Sequence, residues 1–238
     1  MGGTSIAVIR IRKASERGQT RIDWLDSRHT FSFGDYYEPT QMGFCQLRVI
    51  NEDRVKPAMG FATHSHRDME IVTYVLEGSL QHKDSLGNGS IIAPGDIQRM
   101  SAGTGIRHSE FNPSDSEPVH FLQIWITPNV NGLLPSYEQR AFDPSASLEK
   151  PLLLAGPEGS SGAVSIHQDA RIWLATPLGG KSIDFEIPAN RQAWVQVARG
   201  SVKINDQVLD AGDGLATDEH LLEIAAPDSA EVLIFDLA

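Results

Sequence analysis

Two short segments of this chain carry residue types that bind metal ions. His64 and His66 are separated by one residue, and His108 and Glu110 repeat the same spacing. Alternate side chains of a β-strand point to the same face, so each pair can direct two ligands toward one point. If the two strands lie close together, three imidazoles and a carboxylate can converge on a single cation. The spacing therefore predicts a metal site.

The fourth ligand of this predicted site is left open by the spacing alone. Glu70 has the same parity as His64 and His66, so it can face the same interior and is as good a candidate as Glu110. Imidazole ligands favour Fe, Ni, Cu, Zn or Co, whereas Mg and Ca prefer shells made only of oxygen. A closed structural zinc site usually includes cysteine, and the single cysteine, Cys45, is not near these residues in sequence. We therefore expect a transition metal.

Short strands are predicted along most of the chain, and they must position these ligands. Residues 70–76 are rich in β-forming types, and residues 119–126 are apolar on both faces, as in a buried strand. Turns containing Gly or Pro recur at short intervals, which is typical of a β-sandwich or barrel. A short helix is predicted over residues 133–140. Other predicted strands span residues 6–11, 46–50, 164–166, 182–187, 193–198, 201–204, 221–225 and 232–237.

The two halves of the sequence are similar to each other. Residues 74–80 resemble residues 196–202, and Pro94-Gly95-Asp96 corresponds to Ala211-Gly212-Asp213. A duplicated barrel explains both matches, although similar hairpins can also arise independently. The second half lacks the histidine pair, so we expect it to be structural. The predicted domains are residues 1–135, which bind the metal, a connector over 136–161, and residues 162–238.

Composition excludes several classes of function. The net charge of −11 disfavours direct binding to nucleic acid. No apolar run approaches the length of a membrane helix, and the first residues lack the features of a secretory signal. A single cysteine cannot form an internal disulfide. We therefore expect a cytoplasmic protein with no membrane contact.

Several motifs in this chain resemble those of a known family. The segments 64–70 and 105–108, with Gly78 and Pro94-Gly95-Asp96 between them, resemble the two cupin motifs. Residues 24–33 and 100–110 are similar to the pirin family, and the likeness extends over nearly the whole chain. The resemblance implies an all-β fold of two tandem cupin barrels, which are jelly-roll-like. It also implies the metal ligands His64, His66, His108 and Glu110, and leaves Glu70 to orient a ligand or to hold the strand.

The resemblance is closest to bacterial pirin-like proteins with quercetin 2,3-dioxygenase activity. It implies a metal-dependent enzyme that cleaves a flavonol such as quercetin with O₂ and releases carbon monoxide, with Glu110 as the general base. The cofactor would be one divalent transition metal, Fe first, with Ni, Co, Mn, Cu or Zn as alternatives. The partners would be a small polyphenol and O₂, and a monomer is favoured.

Two other functions stay open at this point. A pirin-like, metal-bound redox sensor that acts through a protein partner would use the same ligands. A metal-free sugar-binding or structural protein would use none of them. The remaining histidines, which include His29, His82, His120, His167 and His220, are interpreted as structural. Four apolar residues could line a substrate slot but are more typical of a core: Phe31, Phe33, Phe44 and Met69.

Overall fold

The computed structural model describes residues 8–158 and 160–238. Almost all of its regular structure is β, which confirms the predicted fold class. The only described helices are two short 3-10 turns, Ala14–Glu16 and Pro144–Ser147, and neither is long or apolar enough to cross a membrane. The strands are β1 (Ile9–Arg12), β2 (Gly18–Arg21), β3 (Leu25–His29), β4 (Leu47–Val55), β5 (Gly60–His66), β6 (Glu70–Glu77), β7 (Leu80–Asp84), β8 (Gly89–Ile92), β9 (Asp96–Ser101), β10 (Ile106–Phe111), β11 (Val119–Ile126), β12 (Ser136–Ala141), β13 (Leu152–Gly156), β14 (Val164–Ser165), β15 (Ala170–Ala175), β16 (Ser182–Glu186), β17 (Gln192–Arg199), β18 (Ser201–Ile204), β19 (Gln207–Asp210), β20 (Gly214–Thr217), β21 (Leu221–Ala225) and β22 (Glu231–Leu237).

The chain folds into two compact units that are not contiguous in sequence. The larger unit contains Arg17–Asp143 and Leu154–Ala170, and the smaller unit contains the residues up to Glu16 together with Pro144–Leu153 and Arg171–Ala238. The start of the chain belongs to the smaller unit because β1 pairs with β20 in the register Ile9↔Thr217. The predicted domain boundaries at residues 135 and 161 do not coincide with this division. The predicted domains stay a prediction.

The larger unit consists of two sheets with a core between them. A seven-stranded sheet has the order β12-β9-β6-β11-β4-β3-β2, and a four-stranded sheet has the order β5-β10-β7-β8. Side chains of both sheets pack together in one apolar cluster, in which Val75 and Phe121 come from the larger sheet and Leu80 and Ile92 from the smaller one. These strands alternate between inward and outward side chains, so the inner face of each sheet is set by its register.

A line of polar residues crosses the inner face of the seven-stranded sheet. His29, Asn51, Gln123, Thr73 and Gln98 are successive cross-strand partners on β3, β4, β11, β6 and β9. Directly paired residues share one face of a sheet, so these five side chains lie side by side. This polar row runs next to the apolar core, and it is the feature that gives the inner face hydrogen-bonding capacity.

The smaller unit repeats the two-sheet plan with an apolar interior. Within this unit the strands follow the orders β1-β20-β17-β22-β15 and β16-β21-β18-β19. Its core is filled by buried side chains such as Phe185, Ile204 and Leu222. The structural role expected for the second half stays a prediction.

Matching glycines support the predicted duplication. Gly78 and Gly200 have φ values of 72° and 74°, and a Cβ at either position would lie 2.6 Å from a backbone oxygen, of Pro118 or of Ser229. Only glycine tolerates both the left-handed backbone and that close approach. The same local geometry therefore occurs once in each unit.

The helix predicted over residues 133–140 is wrong. Ser136–Ala141 forms β12, an edge strand that pairs with β9 in the register Ser136↔Ser101. Pairing with the sheet satisfies the backbone of this segment, and a short sequence with no strong helical periodicity does not resist it. The predicted connector thus contains regular structure. The first predicted strand begins at Ile9, and the part of it at residues 6 and 7 lies outside the described residues.

Candidate metal centre

Three predicted ligands converge where β5 pairs with β10. His64 lies directly opposite His108 in this antiparallel ladder, and His66 is two residues along the same face of β5. The ring centroids are 4.4 Å apart for His64 and His108, 4.7 Å for His64 and His66, and 4.9 Å for His66 and His108. One nitrogen from each ring lies within 4.8 Å of the other two. Three imidazole nitrogens are therefore arranged around one point.

The hydrogen bonding of these imidazoles fits a metal ion. Nδ1 of His64 donates to the carbonyl oxygen of Ala62 at 2.8 Å, which leaves Nε2 with a free lone pair. Nε2 of His66 and both ring nitrogens of His108 are buried and have no hydrogen-bond partner within residues 8–158 and 160–238. Buried polar atoms are rarely left unpaired, so a cation is the natural partner for these lone pairs.

Burial lowers the basicity of two of these rings. It lowers the pKa of His66 to about 4, with a further effect from His64. It lowers the pKa of His108 to about 2, to which the neighbouring His64, His66 and His82 also contribute. Both imidazoles are therefore neutral at physiological pH, which is the state that binds metal.

Glu110 lies beside His108 and lines the same cavity as His64 and His66. It forms a close group with His82 and His108, and its register is shifted by a β-bulge between residues 108 and 110. The side chain is 2% exposed, and its Oε1 accepts a hydrogen bond of 2.9 Å from Nε2 of Gln123. Burial raises its pKa to about 7, and the nearby Asp53 adds to this effect. Its role as the fourth ligand stays a prediction.

Glu70 contacts a different set of residues. It is 1% exposed and accepts a hydrogen bond of 2.9 Å from Oγ of Ser101, and its two carboxylate oxygens lie 3.3 Å from Nδ1 of His167. Among the described residues it makes no hydrogen bond to the three histidines or to Glu110. These contacts join Glu70 to its cross-strand partner on β9 and to His167, so of its two expected roles they fit the one in holding the strand.

Three other histidines are buried and hydrogen-bonded, as the sequence predicted. His82 lies 3.1 Å from Oδ2 of Asp84, and its ring stacks on Tyr137 at 4.9 Å. His120 lies 2.9 Å from Oε1 of Glu52. Nδ1 of His29 donates to Oδ1 of Asn51 at 2.8 Å, but His29 also lines a cavity, which the sequence did not indicate.

A cavity of about 480 Å³ opens beside the histidines. This volume is in the range of sites for small organic molecules. Of the four apolar residues considered for a slot, only Phe33 lines it, and three aromatic residues were missed because their approach depends on the tertiary fold. Its lining residues are Thr20, Trp24, Leu25, Ser27, His29, Phe33, Asn51, Asp53, Gly60, Phe61, Ala62, His64, His66, Glu110, Gln123 and Trp125.

Sequence comparison finds relatives along the whole chain. The family profile described as Pirin matches residues 10–126, and the profile described as Quercetinase C-terminal cupin domain matches residues 153–237. A quercetin 2,3-dioxygenase of Escherichia coli (strain K12) is 48% identical over 231 residues, which cover 97% of this chain and 99% of that protein.

Solved structures share the fold. The crystal structure of YhhW from Escherichia coli has a TM-score of 0.93 at 48% identity, over 97% of this chain and 98% of that chain. The crystal structure of bacterial pirin YhhW in complex with nickel(II), also from Escherichia coli, has a TM-score of 0.91 at 48% identity, over 97% and 99%. With the two profile matches, these similarities confirm the predicted pair of cupin barrels.

Proposed function

Because this chain belongs to the pirin family, we propose that it is a metal-dependent dioxygenase that cleaves a flavonol such as quercetin with O₂ and releases carbon monoxide. The observation that carries this proposal is the set of buried, unpaired imidazole nitrogens of His66 and His108 beside an aromatic cavity that His64 and His66 line. A relative of 48% identity is a quercetin 2,3-dioxygenase, which supports the substrate class.

His64, His66 and His108 would hold a divalent transition metal, with Glu110 as the fourth ligand. Iron, nickel, cobalt, manganese, copper and zinc all accept such a donor set, and the nickel(II) complex of a relative supports a metal of this class. When bound, the metal would acidify the flavonol hydroxyl and hold the electron-rich ring ready for O₂.

Glu110 would accept the proton of the flavonol 3-hydroxyl. The carboxylate form is the one that accepts a proton, and a bound metal would favour it, whereas burial raises the pKa of Glu110 to about 7 in the metal-free chain. The hydrogen bond from Gln123 orients the side chain.

Aromatic side chains would bind the flat substrate. Trp24, Phe33, Phe61 and Trp125 line the cavity, and Trp24 packs edge-to-face on Phe61 at 5.2 Å. The ring of Trp125 also contacts that of His66, with centroids 4.9 Å apart. An apolar slot next to the metal suits a polyphenol and keeps bulk water from the reacting ring.

Turnover of quercetin tests this function. The purified chain would be loaded separately with Fe, Ni, Co, Mn, Cu or Zn, and loss of the flavonol absorbance, oxygen consumption and carbon monoxide would be measured together. With at least one metal, we expect the protein to consume flavonol and oxygen and to release carbon monoxide in equal molar amounts. Absence of turnover with every metal would refute the proposal.

The regulatory alternative is not favoured, because the relatives found are dioxygenases. A protein partner and a monomeric state stay predictions, as do the cytoplasmic location and the lack of direct nucleic-acid binding.

A further inference from the structure

A second buried carboxyl group faces the cavity, and the proposed chemistry does not use it. Asp53 lies on β4, in the seven-stranded sheet, whereas the three histidines lie on the four-stranded sheet. It pairs across the sheet with Ser27 on β3 and with Phe121 on β11. Asp53 is therefore on the inner face, one step from the polar row.

One oxygen of this carboxyl group has no partner in the fold. Asp53 is 5% exposed, and the hydroxyl of Ser27 donates a hydrogen bond to it. Its Oδ1 is buried and is unpaired among the described residues, none of which forms an ion pair with Asp53. A buried, unpaired acceptor destabilises a fold by the full desolvation of the group, so such an atom in a cavity indicates a ligand.

The charge of Asp53 is likewise not compensated by the chain. Burial raises its pKa to about 7, and the adjacent Glu52 adds to the effect, while the hydrogen bond from Ser27 opposes it. Arg17 and Arg54, which could have balanced it, pair instead with Glu52. The carboxyl group thus retains its capacity for a strong hydrogen bond from outside the protein.

The surroundings of Asp53 match a hydroxylated aromatic ring. Ser27, His29 and Asn51 provide polar atoms on the same wall of the cavity, and Trp24 and Phe61 provide aromatic surface. His29 already pairs with Asn51 and Thr20, so the atom that a plain hydrocarbon ring would leave unpaired is Oδ1 of Asp53. A ring that carries a phenolic hydroxyl group would satisfy it and still stack on the aromatic side chains.

We propose that Asp53 binds a phenolic hydroxyl group of the substrate other than the one at the metal, and that it thereby selects flavonols hydroxylated on their outer rings. This inference rests on the proposed function. The phenol O–H donates to Oδ1 of Asp53, while Ser27 holds the other side of the carboxyl group. Asp53 and Glu110 then have separate tasks in one cavity: Asp53 recognises the substrate, and Glu110 takes its proton.

Two probes separate this role from a structural one. 3-Hydroxyflavone carries only the hydroxyl group that would reach the metal, and quercetin carries further hydroxyl groups on both outer rings. Binding to the metal-loaded protein without oxygen can be followed by quenching of tryptophan fluorescence, because Trp24 and Trp125 line the cavity. Steady-state turnover of both compounds gives KM and kcat in parallel.

In Asp53→Asn we expect the Kd and KM for quercetin to rise about tenfold, the loss typical of one hydrogen bond to a charged group. The Kd and KM for 3-hydroxyflavone should stay within about twofold of the wild-type values, since this compound lacks the hydroxyl group that would bind Asp53. Asp115→Asn, the same change at an exposed aspartate, should leave the Kd and KM of both compounds unchanged. If Asp53→Asn does not fold, Asp53→Ser provides the same comparison with a smaller side chain.

The outcomes distinguish the two levels of the argument. If the wild-type protein turns over both flavonols and the Asp53 variants weaken both equally, or neither, the recognition role is refuted and the proposed function stands. If the wild-type protein neither binds nor turns over a flavonol, the proposed function fails and this inference fails with it.

Discussion

His64 and His108 face each other directly across the β5–β10 ladder, with ring centroids 4.4 Å apart. Cross-strand partners in an antiparallel sheet are the closest side-chain neighbours that the fold offers. A cation held between them would join two strands that are already hydrogen-bonded. The site is therefore built into rigid backbone and does not need a mobile loop to form it.

The histidine pair should be required for metal binding but not for folding. We expect His64→Ala to reduce the metal content from about one ion per chain to near zero, because a chelating set loses a ligand. The metal-free variant should unfold within about 1 kcal/mol of the metal-free wild type, since the ring lies at a cavity wall. Elemental analysis and denaturant unfolding measure the two effects. His220→Ala, an exposed histidine of the smaller unit, should retain the metal.

When a metal ion binds near pH 6, Glu110 should release close to one proton. Burial lowers the pKa of His66 to about 4 and of His108 to about 2, so these rings carry no proton to release at that pH. Burial raises the pKa of Glu110 to about 7, so its carboxyl is mostly protonated until the metal binds. Calorimetry in buffers of different ionisation enthalpy measures the release. An unchanged proton count in Glu110→Gln would contradict this assignment.

The contribution of Glu110 to the stability of the metal-free protein should fall as pH rises, whereas the lowered pKa values of His66 and His108 act in the opposite direction. A carboxyl with a raised pKa in the folded state binds its proton more tightly there than in the unfolded chain, so its contribution is full below the unfolded value and is lost as the pH rises through the folded value. For Glu110 the window runs from 4.5 to about 7. Its full effect is on the order of 3 kcal/mol.

Glu110→Gln removes this titration and gives a direct measurement of it. At pH 8 the metal-free variant should be more stable than the metal-free wild type, and the difference should shrink toward pH 4. Urea unfolding at several pH values measures it. A pH-independent difference would show that the carboxyl does not titrate in this window.

Gly78 should tolerate alanine far less well than Gly87. Both have a positive φ, which costs an alanine about 1 kcal/mol. A Cβ at Gly78 would also lie 2.6 Å from the oxygen of Pro118, whereas a Cβ at Gly87 meets no atom within 4 Å. We expect Gly78→Ala to lose about 1 to 3 kcal/mol more than Gly87→Ala, because the strand must move. Equal losses would show that the close approach has no energetic weight.

The spacing of the ligands predicted the histidine group because a strand has a simple two-residue period. His64, His66 and His108 meet as that period requires. Glu110 follows the same period along β10, since His108 and Glu110 pair with Asp84 and His82 of β7 without interruption. The sequence did not reveal the β-bulge on the opposite strand, where the pairing moves from His64 to Phe61 on β5.

Long-range register accounts for the other features that the sequence did not predict. Asp53 belongs to no motif, and His29 lies in the family-like segment 24–33, which does not indicate that it faces a cavity. Each reaches the cavity because β3, β4 and β11 align. Edge strand β12 is similar, since its conformation comes from pairing with β9. The turns at Gly78 and Gly200 were predictable because glycine acts locally.

The pairing of β1 with β20 has a consequence for synthesis of the protein on the ribosome. Strand β1 is made before its partner, which follows some two hundred residues later. At ordinary rates of translation it therefore stays without that partner for many seconds. The two sheets of the larger unit end with β12 at Ala141, so their strands can pair while β1 still waits for β20.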